Sequence, residues 1–385
     1  MITSILDTDL YKFTMQNEIC ALYPNDFVRF DFFNRGKTQF PDGFAKQLRW
    51  CVDSFSQIRL KQDEKEFLKK RCYYLNPVYL DFLESYRFNP DEVVISQEGG
   101  DLKICIEGPY YKVILWEVPL MATISQLYFE MTNQVPSNRS RETNAHKFKR
   151  LQHIGIRYSD LGTRRRFSYE SQHDAIEDSL IINADNFNGT SNVYFAKEFD
   201  VNCLGTQAHE GYSFLAAKFG FRMANRIAME KWVDVYQGNL GIALTDTFTT
   251  ENFLKAFDTK YAKLFDGVRQ DSGDPLHYID LIIDHYKKLR IDPTTKTIVF
   301  SDSLNNFELI ESIHNKCKGR IRDAYGIGTW LTNDVGVKPL NIVIKLTGVK
   351  IDNDWVQAVK LSDNISKNTG DSETIVFCKK VLGIK

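Results

Sequence analysis

His209 stands in the run Gly205-Thr206-Gln207-Ala208-His209-Glu210, after an apolar β-type stretch at 201–204 and ahead of a long helical one. A neutral imidazole nitrogen at the start of a helix can attack phosphorus without first losing a proton. Such a nucleophile needs a partner on its other nitrogen to fix the tautomer. Asp246, just past the next apolar run at 240–244, is the carboxylate placed for that task. A lone histidine is more often structural than reactive, so the weight falls on the motifs around it.

The second motif is Arg269-Gln-Asp-Ser-Gly-Asp-Pro275. Asp274 before Pro275 is an N-cap and N1 pair that opens a helix. A capped turn does not account for Arg269 or Asp271. An arginine there can fork onto phosphate, and an aspartate can hold either ribose hydroxyls or Mg2+. Gly326-Ile-Gly328-Thr329 follows another β-type run and can line a phosphate with backbone N–H groups, although glycines also simply make turns. Asp302, in Ser-Asp-Ser 301–303, either binds ribose or caps a helix. Three arginines follow Asp160-Leu-Gly-Thr, and one or two of Arg164, Arg165 and Arg166 can point into a site. Between 139 and 166 the chain also carries Arg139, Arg141, Lys147, Lys149, Arg150 and Arg157 with few acids between them. That segment suits a small polyanion, or is a solvated basic face.

These motifs share a setting. From about residue 150, short apolar runs end in polar loops and alternate with amphipathic helices, at 155–158, 180–183, 201–204, 240–244, 264–268, 297–300 and 324–325. One helical stripe, over 277–289, places Ile279, Ile282, Ile283, Tyr286 and Leu289 together. Strand, polar loop, helix, repeated, is the pattern of an irregular parallel β/α barrel, whose chemistry sits at the C-terminal ends of strands. An open doubly wound sheet would gather the chemistry at one switch point instead. Ahead of this region, 63–82 reads as a helix, and 93–97 and 102–107 read as strands around Gly99-Gly100. After 340 the texture turns antiparallel, with runs at 342–346, 348–351 and 355–361 and a hairpin turn at Asp352-Asn353-Asp354. The expected organisation is therefore α/β, with a barrel at 136–340. A second, discontinuous and mostly antiparallel α/β domain takes 1–135 plus 341–385.

Composition removes other classes. The chain has 385 residues, 43% hydrophobic and 26% charged, with a net charge of −1. That balance does not fit a general nucleic-acid binder. No stretch is apolar for the roughly 18 residues a membrane span requires. The first residues lack the basic and apolar regions of a secretory signal. The seven cysteines are scattered without metal-ligand spacing, as expected of free thiols in a reducing cytoplasm.

Taken in order, TDLYK, DLGTRRRFS, NGTSN, GTQAHE, RQDSGDP, FSDS and YGIGT resemble the nicotinate phosphoribosyltransferases across nearly the whole chain. The resemblance implies transfer of a phosphoribosyl group from phosphoribosyl pyrophosphate to nicotinate, as the committed salvage step toward NAD. It implies coupling to ATP through a phosphohistidine, Mg2+ as cofactor, and a homodimer. By that resemblance His209 is the phosphorylated histidine and Asp246 its orienting acid. Tyr11 stacks on the pyridine ring, often from a partner subunit. Arg164 meets the ring's carboxylate, and Thr206 is a further nicotinate contact. Arg269, Asp271 and Thr329 take the phosphoribosyl group. Related nicotinamide enzymes have an acid where this chain has Ser191. Serine removes a repulsion toward a carboxylate, so the acid substrate is expected. Leu161 stands where those enzymes use a ring-sandwiching aromatic. The alternatives are a nicotinamide phosphoribosyltransferase and a non-catalytic phosphate- or nucleotide-binding barrel.

Overall fold

The computed structural model describes residues 2–384. It falls into two compact units. The first comprises the chain to Gly205 with Ile327–Lys345, and the second comprises Thr206–Gly326 with the residues from Leu346 on. Residues 136–205 group with the N-terminal region in the first unit. Asp7 and Arg166 form a buried two-pronged ion pair, Asn192 donates to Asp7, and Ser125 donates to the Arg166 carbonyl. These bonds bind the segment around 160–192 to the N-terminal region.

In the first unit, β1 (Phe27–Asn34), β2 (Val93–Glu98) and β3 (Asp101–Pro109) form an antiparallel sheet in the order β1-β3-β2. β2 and β3 are the expected hairpin, turning at Gly99, whose φ of 56° favours glycine. The same unit holds a parallel pair, β4 (Tyr158–Asp160) and β5 (Phe187–Thr190).

The second unit carries β6 (Ile242–Leu244), β7 (Gly267–Gln270), β8 (Thr297–Phe300) and β9 (Arg322–Ile327), paired in parallel in that order. Their registers are level: Ile242 lies opposite Gly267, Gly267 opposite Thr297, and Thr297 opposite Arg322. The loops Thr245-Asp246-Thr247, Asp271-Ser272-Gly273 and Ser301-Asp302 therefore leave the sheet on one edge, where chemistry sits in parallel α/β folds. Helix Pro275–Lys288 packs Tyr278, Ile279, Ile282, Ile283 and Tyr286 inward. Asp274 accepts from the Leu276 N–H to open it. β10 (Ile342–Ile351) continues from the first unit into the second, where it turns at Asp352 and Asn353, both with positive φ, and pairs antiparallel with β11 (Asp354–Gln357). The fold is thus mixed α/β with parallel strands and a separate antiparallel sheet.

Several expected elements differ, beginning with the runs at 342–346 and 348–351, which form the one strand β10, and the run at 355–361, whose strand ends at Gln357. Residues 180–183 end the helix Tyr169–Asn183, and the strand comes after them as β5. A short apolar run does not distinguish a strand from the last turn of a buried helix. Residues 201–204 are irregular and keep only a single bridge, Thr190 to Cys203, so no strand leads into His209. Residues 63–82 form two helices, Gln62–Arg71 and Pro77–Ser85, because Asn76 and Pro77 cap and start the second. The basic run 139–166 is not one anion-binding face. Lys147 is buried and pairs with Asp334, Arg141 pairs with Glu177 and Asp178, and Arg166 holds Asp7.

Gly267 shows how closely the strand before Asp271 is fitted. A Cβ there would lie 2.0 Å from the Thr297 carbonyl oxygen on β8. Gly267→Ala should therefore destabilise the protein by about 1–3 kcal/mol or more, read by denaturant unfolding. An unchanged midpoint would show that β7 and β8 are not held in this register.

Candidate active site

His209 is the first residue of helix His209–Phe219 and is buried. With no strand ahead of it, its approach is fixed by Gln207. The Gln207 side-chain oxygen accepts from Tyr212 Oη and from the Leu244 N–H at the end of β6, and its carbonyl accepts from Arg269. The imidazole bridges two loops. Nδ1 lies 2.9 Å from Thr247 Oγ1, and Nε2 lies 2.9 Å from Asp271 Oδ2. Asp246, the expected orienting acid, is 3.8 Å from Nε2 and outside hydrogen-bond range. The side chain that makes the bond is Asp271, one strand further on.

These contacts set protonation. Burial, followed by the nearby Lys360 charge, pushes the His209 pKa from 6.5 down to about 4, against the pull of Asp246 and Asp271. Burial raises the Asp271 carboxyl, but Arg269 and His209 outweigh it and hold it well below the usual carboxylate range. Ser301 Oγ also donates to Asp271 Oδ1. An ionised carboxylate only accepts, so Nε2 carries the ring proton. Nδ1 then holds the lone pair and accepts from the Thr247 hydroxyl.

Asp246 is itself built in. It is fully buried and accepts from Ser272 Oγ at 2.5 Å, while its Oδ1 has no hydrogen-bond partner. Arg269 donates to Thr206 Oγ1 and to the Gln207 carbonyl, and its Nε is buried without a partner. Thr206 therefore serves Arg269. Asp302 is ion-paired with Lys367, whose Nζ also donates to the Asp271 carbonyl. Gly326 belongs to β9.

The first unit holds the other expected residues. Asp9 precedes helix Leu10–Leu22 but does not cap it, and accepts from Ser191 Oγ at 2.8 Å. Arg164 lies near both Asp9, at 3.9 Å, and Glu117, at 3.7 Å. Tyr11 donates to Glu117, and buried Lys12 pairs with Glu117 at 2.5 Å. Burial raises the Glu117 pKa, but Lys12, Lys345 and Arg164 together bring it down to about 2. Burial raises Asp9 toward its neutral form against the pull of Arg164. Of the three arginines, Arg166 is structural, Arg165 is half-buried and reaches toward the Leu340 carbonyl, and Arg164 faces this cluster. Gly328 and Thr329 open the short helix Thr329–Thr332, and a Cβ on Gly328 would approach the Leu161 carbonyl.

Sequence reasoning passed over Thr247, Gln207 and Lys360 in the second unit and Glu117 in the first, and it read Ser272 only as backbone near a ligand and Lys12 only as part of a helix start. Lys12 and Glu117 are 105 positions apart and carried no shared signal. Thr247 lay one residue from Asp246, and a hydroxyl beside a proposed imidazole acid is a signal that points to it.

A buried neutral imidazole between a hydroxyl and a carboxylate, at the edge where parallel strands end, is an arrangement suited to an α/β enzyme site. The Nicotinate phosphoribosyltransferase (NAPRTase) family profile matches residues 156–385, and that family's N-terminal domain matches residues 6–125. The chain is 54% identical to the nicotinate phosphoribosyltransferase of Desulforapulum autotrophicum, covering 99% of both chains. It is 48% identical to that of Chromohalobacter salexigens, covering all of this chain and 99% of that one. The crystal structure of the Porphyromonas gingivalis nicotinate phosphoribosyltransferase superposes with a TM-score of 0.97 at 42% identity, covering both chains fully. That from Vibrio cholerae gives a TM-score of 0.94 at 31% identity, covering all of this chain and 95% of that one. The chain belongs to the nicotinate phosphoribosyltransferase family.

The His209 environment has a direct spectroscopic consequence. A group whose folded pKa lies below its unfolded one stabilises the protein above the unfolded value. That share is lost as pH falls, here from about 6.5 to about 4. NMR of the imidazole, assigned by loss of its signals in His209→Gln, should show a neutral ring with the proton on Nε2 and a midpoint near 4. A midpoint near 6.5, or a proton on Nδ1, would contradict the environment described.

Proposed function

We propose that this chain is an ATP-coupled nicotinate phosphoribosyltransferase. It would convert nicotinate, phosphoribosyl pyrophosphate, ATP and water into nicotinate mononucleotide, pyrophosphate, ADP and phosphate, on the route to NAD. The observation that carries the coupling is the neutral imidazole of His209 between Thr247 and Asp271. Nδ1 attacks the γ-phosphorus of ATP, the N–P bond forms, and ADP leaves with the bonding electron pair. The ring, now carrying phosphorus on Nδ1 and a proton on Nε2, is cationic, and the Asp271 carboxylate beside Nε2 stabilises that charge. Thr247 turns its hydroxyl hydrogen away from Nδ1 as the bond forms. Water later cleaves the N–P bond and releases phosphate, and this pulls the overall balance toward product.

Synthesis itself needs no protein nucleophile, because the pyridine nitrogen of nicotinate attacks the ribose carbon as pyrophosphate departs. The protein positions the partners and supports the leaving group. Arg269, with its unpartnered Nε, is the cation for a phosphoribosyl phosphate. The donor set also fits Mg2+. Asp246 Oδ1 is buried without a hydrogen-bond partner, and ligand atoms of His209, Asp246 and Asp271 lie within 4.8 Å of one another. A hard divalent cation takes such carboxylate oxygens, so Asp246 and Asp271 are the residues that would hold it. When bound, it supplies counter-charge to pyrophosphate.

The nicotinate side rests on Arg164, Lys12 and Lys345 around Glu117, with Tyr11 presenting its ring. A positive balance there favours an anionic substrate. Asp9 supports the rival carboxamide, since an acid does stand beside Ser191 even though position 191 is not acidic. Burial raises the Asp9 pKa and Arg164 stands 3.9 Å away as a counter-charge, and both weaken that objection. The reading includes a homodimer. Among the described residues no helix is long and apolar enough to cross a membrane.

Two experiments test this reading. His209→Ala should keep slow synthesis of nicotinate mononucleotide and lose all stimulation by ATP; stimulation equal to the parent's would end the phosphohistidine reading. Ser191→Asp should lower the nicotinate-over-nicotinamide ratio of kcat/KM by about tenfold or more. A parent enzyme that prefers the amide would overturn the substrate assignment.

A further inference from the structure

The C-terminal segment of the second unit is strapped across the His209 region. The Val359 carbonyl accepts from Ser213, which lies one helical turn beyond His209 on the same face. Ser362 Oγ donates to Ser272 Oγ, next to Asp271, and the Asp363 N–H approaches the same oxygen. Asp363 in turn accepts from the Thr250 N–H and hydroxyl. Lys360 also exchanges two backbone hydrogen bonds with Thr369. The residue between these anchors is thus fixed at the gap between the His209 helix and the Asp271 loop.

That residue is a lysine only 9% exposed. Among the described residues its ammonium has no hydrogen-bond or ion-pair partner. Lys367, seven residues on, is ion-paired with Asp302. Burial lowers the Lys360 pKa, while Asp246 and Asp271 act to raise it. A largely buried lysine charge close to two carboxylates and an imidazole is placed to meet an anion that arrives at that imidazole.

We propose that Lys360 is a catalytic residue whose ammonium binds the non-bridging oxygens of the phosphoryl group as it passes onto His209. The inference rests on the phosphohistidine reading above. A phosphoryl group on Nδ1 adds negative charge to a ring whose Nε2 side already holds Asp246 and Asp271. Arg269 is engaged by Thr206 and Gln207. With Arg269 assigned to the phosphoribosyl phosphate, Lys360 is a further cation that can offset that charge. It does so without changing the covalent balance: Nδ1–P forms, P–O to ADP breaks, and the lysine keeps its proton. The same chemistry, a phosphoryl anion beside His209, also describes the pyrophosphate end of phosphoribosyl pyrophosphate, and the two sources separate experimentally.

The test measures acid-labile label on the full-length enzyme after mixing with Mg2+ and γ-labelled ATP alone, without nicotinate or phosphoribosyl pyrophosphate. Parent, His209→Ala, Lys360→Gln and Lys360→Arg are compared. Label on the parent and none on His209→Ala establishes the underlying reading; an unlabelled parent refutes that reading, whatever Lys360 does. Given a labelled parent, Lys360→Gln should form phosphoenzyme about a hundredfold more slowly, with Lys360→Arg in between because it keeps the charge. Lys360→Gln labelled as fast as the parent overturns the proposal. So does a variant whose only defect is a raised KM for phosphoribosyl pyrophosphate, which would assign Lys360 to pyrophosphate. Should Lys360→Gln fail to fold, Lys360→Arg decides alone: labelling slowed but retained supports the proposal, and labelling at the parent's rate overturns it.

Discussion

The structure of the second unit turns on one buried imidazole held by two hydrogen bonds of opposite sense. Asp271 accepts from Nε2, and Thr247 donates to Nδ1. The Asp271 bond fixes the tautomer, because an ionised carboxylate only accepts, and the Thr247 hydroxyl then donates to the lone pair left on Nδ1. Burial does the rest, because it makes the protonated ring costly and keeps the imidazole neutral well into the acid range.

The surrounding elements exist to hold those two partners still. Parallel strands in level register deliver Thr247 and Asp271 to one edge. The Asp246-Ser272-Ser362 chain ties the two loops to the C-terminal segment, and Lys367 grips the Asp271 carbonyl. Precision in such a site comes from its supporting shell, and here much of that shell is supplied by residues after 358. In the first unit a different balance holds: three cations surround Glu117, and burial raises the Asp9 pKa against the pull of Arg164.

Much of this was legible in the sequence, and the failures have physical causes. The strand at 297–300 is bounded as expected because Thr, Ile, Val and Phe in succession, closed by Ser-Asp, leave little alternative. The run at 180–183 misled because a buried helix end and a buried strand look alike over four residues. Strand order paired His209 with Asp246, whereas the hydrogen bond from its Nε2 goes to Asp271. The choice between Asp246 and Asp271 depends on a few tenths of an ångström to an ångström in loop path, which residue types do not encode. The family resemblance pointed to Ser191 as the missing acid; it could not see that Asp9, distant in sequence, places a carboxyl against that same serine. Lys360 sits in a tail that read only as antiparallel strand, and nothing local marks it as facing His209.

The central claim is that His209 presents Nδ1 to phosphorus while Asp271 keeps the proton on Nε2. It is tested most directly by phosphorus NMR of enzyme phosphorylated with Mg-ATP and unfolded at alkaline pH, where the two phosphohistidine isomers have separate resonances. The account predicts phosphate on Nδ1. Phosphate on Nε2 would contradict it, because that nitrogen must then have lost both its proton and its bond to Asp271.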